Sequence, residues 1–130
     1  MTSKSCLFRT ALAGALAITV SAASSVGAAI VYNVDQTIGA GSVVGTITTD
    51  GGTGVLAASD ITAWNLELTG VGASYDLKNT DSDSAVVVIG GDLTATTHDL
   101  YFNFGGTAGD YFLLQDNLYS GQTYYCNSIW

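Results

Sequence analysis

The chain has one histidine, His98, and an aspartate, Asp99, directly follows it. A nucleophilic triad needs an imidazole that a carboxylate orients and that reaches a hydroxyl or thiol. Serines are plentiful, so the residue types are present, but the spacing is wrong. Neighbours on a strand point to opposite faces, which turns Asp99 away from His98. His98 is therefore expected on the surface near a hairpin. Glycoside hydrolysis would instead need two carboxylates across a cleft. The 11 acidic residues fall mostly in turn clusters or at polar strand positions, where solvated surface is the expectation. No catalytic residue is assigned, and an enzyme is not expected.

Metal chemistry has little to work with. Zinc takes several imidazole or thiolate ligands, and beyond the N-terminal segment the chain offers only His98 and Cys126. Calcium is better served, because Asn79, Asp81 and Asp83 place oxygen atoms at alternate positions, as a calcium loop begins. An EF-hand would need glycine at the sixth position and a bidentate glutamate at the twelfth. Those positions hold Ser84 and Gly90, so what remains is either a weak calcium site in a hairpin or a simple polar turn. No other cofactor is expected, since the glycine-rich turns lack the lysine and helix of a phosphate-binding loop. Tyr101, Tyr111, Tyr119, Tyr124 and Tyr125 are candidates to stack on sugar rings, although tyrosine is also an ordinary strand residue.

The segments that must position these residues begin after an export signal. Lys4 and Arg9 precede the run Thr10 to Val20 (TALAGALAITV), about 11 residues and within the length of a signal-peptide apolar core. A membrane-spanning helix needs about 20 apolar residues, so this run is too short to serve as an anchor. Small residues follow, up to Ala28 and Ala29, and a signal peptide of residues 1–29 is expected, with cleavage after Ala29. Cys6 precedes the apolar run and so cannot be a lipoprotein cysteine. Residues 30–130 then form one β-rich domain with no membrane span.

All 11 acidic residues lie beyond Ala29, whereas Lys78 is the one basic residue there, a net of −10 against −8 for the whole chain. Nucleic acid and anionic membrane both need a positive face, and neither is expected as a partner. Composition favours sheet: residues 30–130 hold no proline, one Glu, one Lys and many β-branched and aromatic residues.

Period-two alternation marks the strands. Trp64, Leu66 and Leu68 alternate with Asn65, Glu67 and Thr69, and Val43, Gly45 and Ile47 oppose Val44, Thr46 and Thr48. Leu100, Phe102 and Phe104 repeat the pattern. The wholly apolar Ala85 to Ile89 predicts a central strand covered on both faces. Weaker strands are expected at Ile30 to Val34, Tyr75 to Lys78, Leu93 to Thr97, Tyr111 to Leu114 and Thr123 to Cys126. A helical turn, capped by Ser59 or Asp60, is expected over Ala58 to Ala63. Glycine-rich clusters, the last at Ser120-Gly121, separate these runs. An antiparallel β-sandwich or open barrel of about 7–9 short strands follows.

The stretch Gly41 to Gly70 (GSVVGTITTDGGTGVLAASDITAWNLELTG) resembles a group of bacterial exported proteins, many of which carry a PEP-CTERM sorting tail. The resemblance rests on Gly41, Val43, Gly45, Ile47, Thr49, Asp50, Gly51, Gly54, Leu56, Asp60, Ile61 and Trp64. Gly91-Asp92-Leu93-Thr94-Ala95 and Gly109-Asp110-Tyr111-Phe112 are similar to the group's second half. Structural roles are expected for the motif: Asp50-Gly51 a turn with positive φ, Gly54 a close pass by a neighbour, and Trp64 a core anchor.

The resemblance implies an exported β-domain of uncharacterised activity from bacteria that build extracellular polysaccharide. Without proline the chain has no Pro-Glu-Pro motif, and it reads as a truncated member lacking the sorting tail. Members often carry a second cysteine that could pair with Cys126, which leaves Cys126 here as an unpaired thiol. Self-association through an open strand edge or Cys126 is then expected. The function expected is a secreted, periplasmic or cell-surface structural protein, non-catalytic and associated with extracellular polysaccharide or matrix. The alternative is a small carbohydrate-binding module.

Overall fold

Among the described residues ten strands follow one another: β1 (Ile30–Ile38), β2 (Gly41–Thr49), β3 (Gly54–Val55), β4 (Ile61–Gly70), β5 (Ala73–Lys78), β6 (Ala85–Ile89), β7 (Leu93–Ala95), β8 (Leu100–Phe102), β9 (Tyr111–Asp116) and β10 (Thr123–Ser128). This computed structural model describes residues 27–116 and 123–130. The expected signal segment lies outside the described residues except for Gly27, Ala28 and Ala29, and so do Cys6, Tyr119, Ser120 and Gly121.

The strands form three antiparallel sheets, ordered β1-β2-β4-β5, β10-β9-β6 and β3-β7-β8, and the molecule is an all-β sandwich with no closed barrel. Every strand expected from alternation is present, but the one expected through Phe104 stops at Phe102 and leaves Phe104 exposed in the following turn. The tenth, β3, is a two-residue pairing of Gly54 with Ala95 and Val55 with Thr94, too short to leave a period in the sequence.

The core follows the alternation. Val43 and Ile47 of β2, Trp64 and Leu66 of β4 and Leu77 of β5 are buried on one face of the first sheet. Phe112 and Leu114 of β9, Tyr125 of β10, and Leu93 and Ala95 of β7 join them in one cluster. Leu66, Leu77 and Leu114 are fully enclosed, and such burial stabilises by about 1.5–3 kcal/mol per side chain. Within this stripe Gly45, at φ +150°, lies opposite Leu66, and a side chain there would strike the Asn65 carbonyl.

Three expectations change. Ala85–Ile89 is an edge strand, paired with β9 alone, and Ala85 to Val88 are only half-buried. A continuous apolar run cannot show whether both faces are covered. Val86 and Val88 pack on the core, while β9 takes the centre of the sheet with Phe112 and Leu114. The helical turn is a single 3-10 turn over Ala58–Asp60, where the Asp60 carboxylate accepts the Ala57 N–H at 2.7 Å. Ile61 and Ala63 pair with β2 instead, with a register shift at Thr48/Thr49. Gly54 passes no close neighbour, since a side chain there would meet nothing within 4 Å; its φ of +94° is what calls for glycine.

Candidate functional site

The three sheets each contribute an edge strand to one cleft of about 640 Å³: β1, β8 and β10. Buried Tyr32, Ile47, Leu93, Phe112 and Tyr125 line its depth. Exposed Asn33, Asp35, Thr37, His98, Asp99, Tyr101 and Phe104 surround it, and half-buried Asn127 completes one side.

Two tyrosines fix the walls. The Tyr32 hydroxyl donates to the Thr96 carbonyl at 2.6 Å, tying β1 to the β7–β8 turn. Tyr125 Oη donates to Gln36 Oε1 at 2.9 Å and accepts from Asn127 Nδ2 at 3.0 Å, tying β10 to β1. Burial raises the Tyr125 hydroxyl above the ordinary tyrosine value, and hydrogen bonding with Asn127 offsets part of that.

The rim is held by short-range bonds. Thr96 Oγ1 accepts the N–H groups of His98 (3.1 Å) and Asp99 (2.8 Å), so the turn presents both side chains outward. His98 Nδ1 lies 2.8 Å from Thr97 Oγ1. Phe104 sits edge-to-face with Phe102, with centroids 5.1 Å apart, and is 64% exposed.

The loop that carries Phe104 is anchored by a buried acid, contrary to the expectation that the acids are solvated. Asp92 accepts the Thr107 N–H at 2.9 Å and the Asn103 amide at 3.3 Å, with Gly106 directly against its carboxylate. Asp110 in turn accepts the Gly91 N–H at 2.9 Å. Each Gly-Asp motif of the second half thus clasps the loop beside the other. Asp50 similarly accepts the Gly52 N–H at 2.9 Å in the turn where Gly51 has φ +94°.

A second depression, a groove of about 510 Å³, borders β10 at Tyr124, Tyr125 and Cys126. The β1–β2 and β4–β5 turns border it, and Ile38, Val43, Leu68, Val71, Tyr75 and Tyr124 make it largely apolar.

The residues singled out from sequence are dispersed. Tyr101 is exposed at the cleft and Tyr124 at the groove, whereas Tyr111 is half-buried and lines neither. Tyr125 is 4% exposed, which corrects its expected role as a surface platform: it faces the core, edge-to-face with Phe112. Exposed Tyr75 takes a place that its sequence context did not suggest. Asn79 Oδ1, expected as a calcium ligand, accepts the Trp64 N–H at 3.2 Å, while Asp81 and Asp83 stay exposed. No group of three or more His, Cys, Asp or Glu side chains that could hold a metal occurs among the described residues. Cys126 is exposed beside the groove. Trp64 is buried in the core, and its Nε1 has no hydrogen-bond partner among the described residues.

Sequence reasoning missed Asn33, Asp35 and Gln36 of β1, and also Phe104 and Asn127. They are polar or aromatic positions on unremarkable strands and loops, and only the meeting of three sheet edges brings them together.

No helix among the described residues is long and apolar enough to cross a membrane. Comparison of the chain with protein-family models, with curated proteins and with solved structures finds no match.

Proposed function

We propose that this chain is an exported, non-catalytic protein of the cell envelope or extracellular matrix that holds polysaccharide in the cleft between β1, β8 and β10. The composition of that cleft carries the reading. A sugar ring has apolar C–H faces and a belt of hydroxyls, so its binding needs aromatic surface beside amide and carboxylate groups. Tyr101 and Phe104 supply the first; Asn33, Asp35, Gln36, Asp99 and Asn127 supply the second. Ligand sites commonly take this form, a concave surface with a few convergent polar groups.

One observation supports a binding role over hydrolysis: among the described residues the His98 imidazole meets the Thr97 hydroxyl, and no carboxylate orients it as a base. Export is supported by the basic residues Lys4 and Arg9, the short apolar run after them and the small residues before Ile30.

One experiment tests both halves. The full chain, expressed in a bacterial host, is recovered from periplasm or medium, sequenced from its N-terminus and applied to an oligosaccharide array. The expected product starts at Ile30 and binds glycans, with at least about tenfold loss in the Tyr101→Ala/Phe104→Ala double variant. A cytoplasmic product with an intact N-terminus ends the export reading. Glycan binding that is absent, or indifferent to that double variant, ends the cleft reading.

A further inference from the structure

We infer that the cleft prefers a polysaccharide bearing free amino groups, a partly de-N-acetylated amino-sugar polymer, over neutral and uronate polymers. The inference rests on the carbohydrate reading above and names the ligand class of the same site.

The acids of this molecule divide by what they hold. Asp50, Asp60, Asp92 and Asp110 each accept a backbone N–H, Glu67 accepts the Ser74 hydroxyl, and Asp76 pairs with Lys78 at 2.8 Å. Asp35 and Asp99, the two carboxylates at the cleft, have no side-chain hydrogen bond or ion pair among the described residues. Their charges are exposed and uncommitted.

Among the described residues no lysine or arginine lines the cleft, so a carboxylate-bearing sugar meets no lysine or arginine counter-charge from them. The chain's net charge of −8 adds long-range repulsion for a polyanion and attraction for a polycation. An ammonium group on a sugar ring reverses both terms. It pairs with Asp35 or Asp99, and the faces of Tyr101 and Phe104 accept a cation as readily as a C–H face.

A diffuse acidic surface would also attract a polycation, and the test must separate that from the cleft. Three oligosaccharides of equal length are titrated calorimetrically into the full chain: a glucosamine oligomer, its N-acetylated form and a uronate oligomer. Mildly acidic pH keeps the sugar amines protonated. Each variant is repeated with His98→Gln to separate the contribution of the imidazole at the cleft. The exposed pair Asp81 and Asp83, on the β5–β6 turn, serves as a control of equal charge.

The expected result is about tenfold tighter binding of the glucosamine oligomer than of its N-acetylated form. Asp35→Asn/Asp99→Asn removes that preference, and Asp81→Asn/Asp83→Asn leaves it. Equal affinity for the two forms overturns the inference while the carbohydrate reading stands. A preference that both double variants lower alike also overturns it, since diffuse charge is then sufficient. Failure of all three oligomers to bind counts against the carbohydrate reading itself. Unchanged melting of both double variants verifies that these surface changes leave the fold intact.

Discussion

The cleft and the groove share Tyr125 of β10, yet their chemistry is opposed. Half-buried Asn127 lines the cleft alone, while exposed Tyr124 and Cys126 stand at the groove. The cleft gathers amide, carboxylate and imidazole groups from three sheet edges, so it can discriminate between ligands by hydrogen bond and charge. The groove is bounded by two hairpin turns and lined mainly by aliphatic and aromatic carbon, so contact area is its main resource.

The largest effect that should break this contrast lies outside both depressions. Asp92→Ala removes the carboxylate that holds the Phe104 loop through Thr107 and Asn103. Loss of a hydrogen bond to a charged group costs about 1.5–3 kcal/mol, and a urea titration should show a shift of that size. Glycan binding at the cleft should fall with it.

A smaller effect comes from the shared wall. Tyr125→Phe keeps the ring on Phe112 but deletes the bonds to Gln36 and Asn127, with an expected cost of about 1 kcal/mol. The pH dependence sharpens the attribution. Because the folded-state value of Tyr125 is raised, its contribution is fully present below about pH 10 and is lost as pH rises through the folded value. Melting curves from neutral to strongly alkaline pH should therefore fall less steeply above pH 10 in the variant.

The smallest effect is expected at the groove. Tyr75→Ala removes a side chain that is 54% exposed, and its cost should stay within about 0.5 kcal/mol. Glycan affinity should not change, and a loss comparable to that of the cleft aromatic variants would refute the division of labour.

Much of this architecture can be read from residue order. Strict alternation in Trp64-Asn65-Leu66-Glu67 gives both the strand and its buried face, because the side-chain period is two. Asp50-Gly51 marks its turn because few residues other than glycine accept positive φ. Ala85–Ile89 misled for a physical reason: five apolar residues in a row state that the strand is apolar, and its place in the sheet depends on which partner claims the centre. Asp92 misled similarly. An aspartate after two glycines reads as a solvated turn, and its burial depends on Gly106 and Thr107, well over ten residues away.

The site was less legible than the fold. His98, Asp99 and Tyr101 lie close together in sequence, and one strand and its preceding turn deliver them to the cleft. Asn33, Asp35 and Gln36 lie more than sixty residues earlier, and no local pattern links them to that turn. The bond from Tyr32 to Thr96 makes the link, and it spans 64 positions.

By itself, the sequence determined the strands, most of their buried faces and the acidic charge, all properties of residue type and short-range period. The tertiary structure decided which strands became edges, which acids were spent on backbone amides and which stayed uncommitted. Those outcomes depend on hydrogen-bond partners distant in the chain, because an edge is an edge only when no other strand has paired with it. The cleft is the product of three such edges meeting.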